Sequence, residues 1–297
     1  MKIAVVILNY NNYSDTIAYV RNLKELNWKD ICLNIVIVDN GSTDGSRENL
    51  NNLYRNDDKV DIILSDINLG FSKGNNLGIR YAKDKLGVNL IAVSNNDIKI
   101  EDKNFFVKLS SIYEKEKFSV FGPDIYSLSK NIHQSPIREN CFSRSELINL
   151  SKKLNRKIFI LKLMKPFHVY DILRCVKKKL IPSSAAISGV KSEKKQYQVV
   201  VHGAFFVLGE EYLKEYPDGL YDELFMYLEE DILNYLCLAK KLKIVYDPSL
   251  KVLHYDGLST IKSQKSHLNK LLFELENTVI SANRISLFLN ECEERVE

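Results

Sequence analysis

Apolar runs recur along the first 95 positions, separated by stretches with helical spacing. "KIAVVILN" (2–9), "LNIVIVDN" (33–40), "VDIILS" (60–65) and "NLIAVS" (89–94) are nearly continuous rather than alternating. That pattern predicts strands covered on both faces. Ser14 precedes Ile17, Val20 and Leu23, which predicts a helix with Ser14 as its N-cap. "GSTDGS" (41–46) predicts a turn, with a short polar helix to about Tyr54. "NLGFSKGNNLG" (68–78) predicts a glycine-rich loop feeding a helix through Tyr81 and Leu86. Strand and helix alternate, so the expected fold is α/β: a mostly parallel, Rossmann-like sheet with helices on both faces. Ligands of such sheets collect beyond the C-terminal strand ends. The polar clusters at Asn9-Tyr10-Asn11, Asp39-Asn40, Asn68 to Asn76 and Asn95-Asn96-Asp97 all fall there.

After "FSVFGPDIY" (118–126), read as another strand, the pattern dissolves. Residues 141–195 carry 14 Lys or Arg against 3 Asp or Glu, while the whole chain of 297 residues is only +4. Apolar residues are interleaved there, as in "KIFILKLMKPFHVYDILRCVKKKL" (157–180). One reading is a solvated helical insertion packed on the domain by one face. The other is a basic amphipathic segment that touches an anionic membrane surface. Pro166 and Pro182 argue against one continuous helix. Strand-like order returns at "YQVVVHGAFFVLG" (197–209) and "LKVLHYDG" (250–257). Leu268, Leu271, Leu272, Leu275 and Val279 predict a terminal helix over 262–290. The expected division is a catalytic domain over 1–261 carrying the insertion, then a helical extension over 262–297.

Composition changes little. Apolar content of 45% and charged content of 27% are those of a soluble globular protein. No apolar run approaches the roughly 18 residues of a membrane span. Five widely spaced cysteines without a CxxC pair predict reduced thiols in the cytoplasm. Nucleic-acid binding through the basic segment would need stacking aromatics. Only Phe142, Phe159, Phe167 and Tyr170 occur there, in no known module.

Several residues suit chemistry. Asp39, ending the second strand, can accept a hydrogen bond from an imide N–H of uracil or thymine, or close an Asx-turn. Gly70, Gly74 and Gly78 with Lys73 suit close backbone approach to an anion, or a structural turn. Asp97 is a ligand for a hard divalent cation, or a cap for the helix around Phe105, Phe106 and Leu109. Asn95 and Asn96 are placed to hold sugar or ribose hydroxyls. Glu229, Glu230 and Asp231 stand at a helix start, where acids stabilise the dipole by roughly 0.3–1 kcal/mol each. Three together exceed that need, and their mutual repulsion raises at least one pKa, as a general base requires. His254 follows an apolar strand, and His202 in "VHGAFF" is expected to pack near the site.

In order, "VVILNYNN", "IVIVDNGSTDGS", "NLGFSKGNNLG", "VSNNDI", "HGAFFVLG", "YDELFMYLEEDIL" and "VLHYDGLST" closely resemble family 2 glycosyltransferases of the GT-A fold, especially the bacterial rhamnosyltransferase-like branch. The resemblance covers about residues 2–126 and 196–262. It implies an inverting transferase that uses a nucleotide-diphospho-sugar and a divalent cation, Mn²⁺ or Mg²⁺. By that analogy Asp39 reads the pyrimidine, with Asn9 and Tyr10 beside it. Asn68, Gly70, Gly74 and Asn75 lie near ribose and diphosphate. Asp97 matches the last acid of the family's Asp-x-Asp motif, with Asn95 where the first acid often stands. His254 matches a histidine that completes the metal site, and Glu230 the base, with Glu229 and Asp231 as alternates. The implied setting is surface polysaccharide synthesis at the inner face of the cell membrane, with a saccharide or lipid-linked saccharide acceptor. Rival readings are a nucleotidyltransferase, disfavoured by "NYNNYSD" after strand one, and a non-catalytic nucleotide-sugar binder.

Overall fold

The computed structural model describes residues 1–165, 192–256 and 267–294. Pro166, His168, Cys175 and Pro182 lie outside these residues, as does the expected domain boundary at 261/262.

The four apolar runs form β1 (Lys2–Asn9), β2 (Cys32–Asn40), β3 (Val60–Ser65) and β4 (Leu90–Asn95). They pair in parallel in the order β3-β2-β1-β4. The connecting helices are α1 (Tyr13–Lys24), α2 (Ser46–Tyr54) and α3 (Phe71–Tyr81). Strand side chains alternate between faces, so β1 serves two cores. Ile3, Val5 and Ile7 pack with Tyr19 and Leu23 of α1 and Leu50 of α2. Ala4 and Val6 pack with Ile79 of α3. From β1 the chain moves outward to β2 and β3 on one side and to β4 on the other. This reversal of strand order opens a crevice at the C-terminal ends.

One boundary differs from expectation. Helix α1 starts at Tyr13 with Asn12, not Ser14, at the cap position. The Ser14 hydroxyl donates to Asn12 Oδ1, and the Asn12 amide donates to Asp15, so the first turn is tied through Asn12.

Beyond β4 come β5 (Ile98–Lys99), α4 (Phe105–Glu116), β6 (Val120–Ser127), β7 (Ile132–His133) and α5 (Arg144–Met164). Then follow β8 (Gln196–Tyr197), β9 (Phe205–Leu208), α6 (Glu210–Glu215), α7 (Glu229–Ala239), β10 (Ile244–His254) and α8 (His267–Glu294). The sheet continues β4-β9-β6-β10-β5. β9 is antiparallel to both β4 and β6, so the sheet is parallel in its first half and mixed in its second.

The basic insertion and the terminal helix form one layer. Ser143 and Glu146 close a reciprocal capping box at the start of α5. Ion pairs Arg144–Glu293 and Lys162–Glu276 mark α5 and α8 as antiparallel neighbours. Ala282, Ile285 and Leu289 of α8 share a cluster with Leu147 of α5 and Ile232 of α7. The terminal helix therefore reaches the helix that carries the acids.

Asn76 of α3 fastens the loop before those acids. Its Nδ2 donates to the Leu220 carbonyl and its Oδ1 accepts from the Leu220 N–H, both at 2.7 Å and buried. Asn76→Ala strands two buried backbone groups at roughly 1–3 kcal/mol each, so a loss of about 2–4 kcal/mol is expected. Urea unfolding measures it; an unchanged midpoint would show that water replaces the amide.

Candidate active site

The crevice floor is a lattice of amides and carboxylates. Asn9 Nδ2 donates to Asp39 Oδ2 at 2.9 Å, and Asn9 Oδ1 accepts from the Thr16 hydroxyl. Asp39 Oδ1 accepts from the Ser42 N–H at 3.1 Å. Asn11 Oδ1 takes the Thr43 N–H, lacing the loop after β1 to the loop after β2. Asn96 Nδ2 donates to the Asn12 carbonyl and to Thr16, tying β4 into the same lattice. An amide both donates and accepts, so asparagine can bridge loops that a carboxylate cannot.

This geometry reassigns several expected ligand contacts. Asp39 is fully buried and accepts from the Ser42 N–H three residues on, closing the loop after β2. Asn9 and Asn96 are buried and committed to protein partners. Tyr10 and Asn95 are only partly buried and line the crevice side of the lattice.

Asn40, noted in the sequence only as part of a polar strand end, organises the glycine loop. Its Nδ2 donates to Asn68 Oδ1 and the Gly70 carbonyl, both at 3.0 Å, and its Oδ1 accepts from the Leu69 N–H. Asn68 Oδ1 also takes the Gly70 N–H. Gly70 has φ +79°, and a Cβ there would lie 2.2 Å from the Phe225 carbonyl oxygen. Gly74 is inside α3, where a Cβ would meet Leu8 Cδ1 at 2.7 Å. Gly78 likewise faces Val6. These two glycines let α3 sit close to β1, which corrects their reading as anion-approach positions. Asn75 Nδ2 donates within α3 to Phe71, while its buried Oδ1 has no partner.

Asp97 does not cap the helix at Phe105, whose cap position is Asn104. It follows β4, and its carbonyl accepts from the Tyr255 N–H. Pairing of β5 with β10 sets Ile98 opposite His254, so Asp97 Oδ1 and His254 Nε2 stand 3.2 Å apart. The rest of the ring is accounted for. Gln134 Nε2 donates to Asp256 at 3.0 Å, which turns Gln134 Oε1 toward His254 Nδ1 at 2.9 Å. Nδ1 thus faces Gln134 Oε1, with Asp256 Oδ1 3.3 Å away, and Nε2 faces the Asp97 carboxylate. A ring nitrogen and a carboxylate oxygen this close call for a proton or a metal ion between them. A divalent cation fits that donor set, with substrate oxygens and water completing its coordination. Among the described residues no group of three or more His, Cys, Asp or Glu is arranged to hold a metal, so this chain offers a pair.

The three acids divide by partner. Asp231 is buried, accepting from Arg138 at 2.6 Å and from the Phe142 N–H at 3.0 Å. It is a structural anchor for the chain entering α5, not a free base. Glu230 Oε1 accepts from the Gly203 N–H at 3.0 Å. Glu229 Oε1 is buried without a partner. Both glutamates keep an edge open to solvent, yet the protein around them raises both pKa values. For Glu229, burial and then the Glu230 charge push the carboxyl up to about 8.

The predicted site residues converge. The Asn95 N–H donates to the Ala204 carbonyl at 2.9 Å, which sets the His202–Gly203 turn beside the end of β4. His202 lies 6.1 Å from the His254 ring, and burial with the His254 charge lowers its pKa to about 4. Glu230 is bonded to the next residue along. A cavity of about 400 Å³ abuts Asp97 from the other side, lined by Arg21, Asn22, Lys99 and Tyr255. It lies against α1, away from the glycine loop.

The glycosyl transferase family 2 model matches residues 4–171, more than half of the chain. Over 146 residues the chain is 30% identical to the low-salt glycan biosynthesis hexosyltransferase Agl10 of Haloferax volcanii, spanning 48% of this chain and 43% of that one. It is 30% identical over 135 residues to the dTDP-rhamnosyl transferase RfbF of Shigella flexneri, spanning 44% and 43%. Less than half the length of either relative is matched. Two solved structures share the fold at low identity. TarS 1–349 of S. aureus gives a TM-score of 0.51 at 14% identity, covering 95% of this chain and 72% of that one. GalNAc-T7, solved with UDP, GalNAc and Mn²⁺, gives 0.57 at 13%, covering 86% and 44%. The fold is thus of the GT-A kind, and the chain belongs to glycosyl transferase family 2.

Proposed function

We propose that the protein moves a sugar from a nucleoside diphosphate sugar to a saccharide hydroxyl, inverting the anomeric carbon. One observation carries the mechanism: Glu230, fixed by the Gly203 N–H, stands across the His202–Gly203 turn from the Asp97–His254 pair. The acceptor hydroxyl gives its proton to the Glu230 carboxylate as its oxygen bonds to the anomeric carbon. The bond from that carbon to the diphosphate breaks on the opposite face, and the nucleoside diphosphate leaves. A cation bound at Asp97 and His254 would neutralise the charge growing on the diphosphate. Glu229 and Glu230 are adjacent acids in a protected setting, so the pair holds one negative charge more readily than two.

For the donor we assign Tyr10, Asn68 and Asn95, which are partly exposed, with Asn75 buried behind them. Asp39 keeps unused lone pairs, and reading a pyrimidine imide with them requires the lattice to open. The name of the Shigella flexneri relative favours thymidine diphosphate rhamnose, with a UDP-sugar as the alternative.

The acceptor we favour is a saccharide on a lipid carrier. The outward face of α5 carries exposed Phe159, Ile160 and Leu163 beside exposed Lys152, Lys153, Arg156 and Lys157. Apolar side chains flanked by cations suit an anionic bilayer surface. No helix among the described residues is long and apolar enough to cross a membrane, so contact there would be peripheral, at the cytoplasmic face.

Glu230→Gln should lower kcat by about 10²–10⁴-fold in an assay of nucleoside diphosphate release; turnover within threefold of the parent would remove Glu230 as base. Because a base works only when deprotonated and these pKa values are raised, activity should fall with decreasing pH above the ordinary glutamate range. Glu229→Gln should move that acidic limb to lower pH. Asp231→Asn should instead lower stability by about 2–3 kcal/mol, less than a fully enclosed pair because Arg138 is partly open. Asp97→Asn should weaken Mn²⁺ binding in the presence of UDP or dTDP about tenfold or more, read by Mn²⁺ electron paramagnetic resonance. Finally, sedimentation with phosphatidylglycerol vesicles should be lost in the triple variant Phe159→Ser, Ile160→Ser, Leu163→Ser; equal binding to neutral vesicles would contradict the bilayer reading.

A further inference from the structure

The acids at the start of α7 are preceded by an unusual piece of backbone. Tyr227 has φ 72° and Leu228 φ 68°, two successive left-handed residues that are not glycine. Side chains disfavour that region, and such residues persist only where their surroundings hold them. Here the holding contacts are visible on both sides. The Phe225 carbonyl accepts from the Phe71 N–H at 2.8 Å, at the end of the glycine loop. The next carbonyl, that of Met226, accepts from the Ser281 hydroxyl of α8 at 2.8 Å. Ser281 is buried, and its neighbour Ala282 packs in the cluster that contains Leu224 and Ile232, one on each side of the strained pair. The Leu228 carbonyl then accepts from the Asp231 and Ile232 N–H groups, starting the helix.

We propose that Ser281 of the C-terminal helix is a positioning residue for the catalytic base. Its hydroxyl fixes the Met226 carbonyl, holds Tyr227 and Leu228 in the left-handed conformation, and so sets the start of α7 from which Glu230 reaches Gly203. The proposal rests on the base assignment above. It gives α8 a part in the chemistry although α8 touches no expected substrate contact. It also makes residues 225–228 a strap between the donor loop at Gly70–Phe71 and the acids. Without the Ser281 bond the strap relaxes toward ordinary backbone, and the glutamates turn toward water.

The groups around the two glutamates are each other, Asp231 with Arg138, and Tyr227, which also feels Glu274 of α8. Ser281→Ala leaves all of these charges in place, so any change in titration reports geometry. The experiment compares Ser281→Ala with Ser286→Ala, a control at another buried serine of α8. Expected for Ser281→Ala are a kcat lowered tenfold or more, a donor KM within twofold, and an acidic limb displaced toward lower pH. Ser286→Ala should keep the parent kcat and limb. Carbon-13 carboxyl NMR of glutamate-labelled protein should show the Glu229 and Glu230 titrations moving down in Ser281→Ala, whether or not turnover is measured. A protein with no transferase activity but with that NMR shift would overturn the function and keep the strap. If Ser281→Ala does not fold, Ser281→Thr and Ser281→Val differ only in the hydroxyl, and only Thr should retain the parent titration. Unmoved carboxyl titrations in Ser281→Ala, or identical behaviour of Thr and Val, would overturn the proposal.

Discussion

The reversal of strand direction at β9 is the constraint on which the site depends. β9 lies between β4 and β6 and runs against both. Its N-terminal end therefore meets the C-terminal end of β4, where ligands of such sheets collect. The Asn95 N–H to Ala204 carbonyl bond fixes that meeting point. A parallel strand in the same slot would carry His202 and Gly203 to the far edge of the sheet, and Glu230 would lose the N–H that holds it. β10 runs parallel to β6, so it delivers His254 to the same edge, and its antiparallel pairing with β5 sets the ring beside Asp97. Three chain segments, at residues 95–97, 202–204 and 254, thus reach one crevice through sheet register.

The polar ends of the strands follow from that crowding. Loops that converge over a sheet bury their backbone groups, and each stranded group costs roughly 1–3 kcal/mol. Amides solve this because one side chain can satisfy a donor and an acceptor in two different loops. Asn9 does so between Asp39 and Thr16, Asn40 and Asn76 donate and accept within a single loop each, and Asn96 donates to both Asn12 and Thr16. The run Asn95-Asn96-Asp97 at the end of β4 then divides by direction. Asn96 turns inward to lock α1, Asn95 stays at the crevice, and Asp97 turns toward β10.

The parallel half of the fold was legible because burial on both faces leaves a continuous apolar run, which hydropathy records directly. The reversal at β9 was not, since "AFFVL" reads the same in either direction. Among candidate residues, Asp97, His254 and Glu230 were recognisable by motif and do come together. Asp231 looked equivalent to its neighbours because its partner, Arg138, is 93 residues away. Gly74 and Gly78 looked like phosphate-loop glycines because close approach to a strand and close approach to an anion ask for the same missing side chain. Gln134, Asp256 and Ser281 act through bonds to single atoms on distant segments, and no periodicity marks such contacts.

In the proposed mechanism, the spacing between base and cation site has its own logic. A cation near a carboxylate stabilises the charged form and makes it a weaker base. Contact between Glu230 and the metal pair would therefore oppose proton abstraction. The intervening side chain is His202, whose Nδ1 accepts from the Ala204 N–H and whose lowered pKa keeps the ring neutral near pH 7. A cation beside His254 pushes that pKa further down, so His202 stays uncharged in the loaded site as well. Glu230 is held instead by a backbone N–H, a neutral donor that fixes orientation with less loss of basicity than a full positive charge would cause. Among the described residues, the guanidinium that acts on Glu230 is that of Arg138, which is engaged by Asp231. In the proposed mechanism Asp231 thus bears on the base without touching substrate, by partly neutralising the Arg138 charge that lowers the Glu230 pKa.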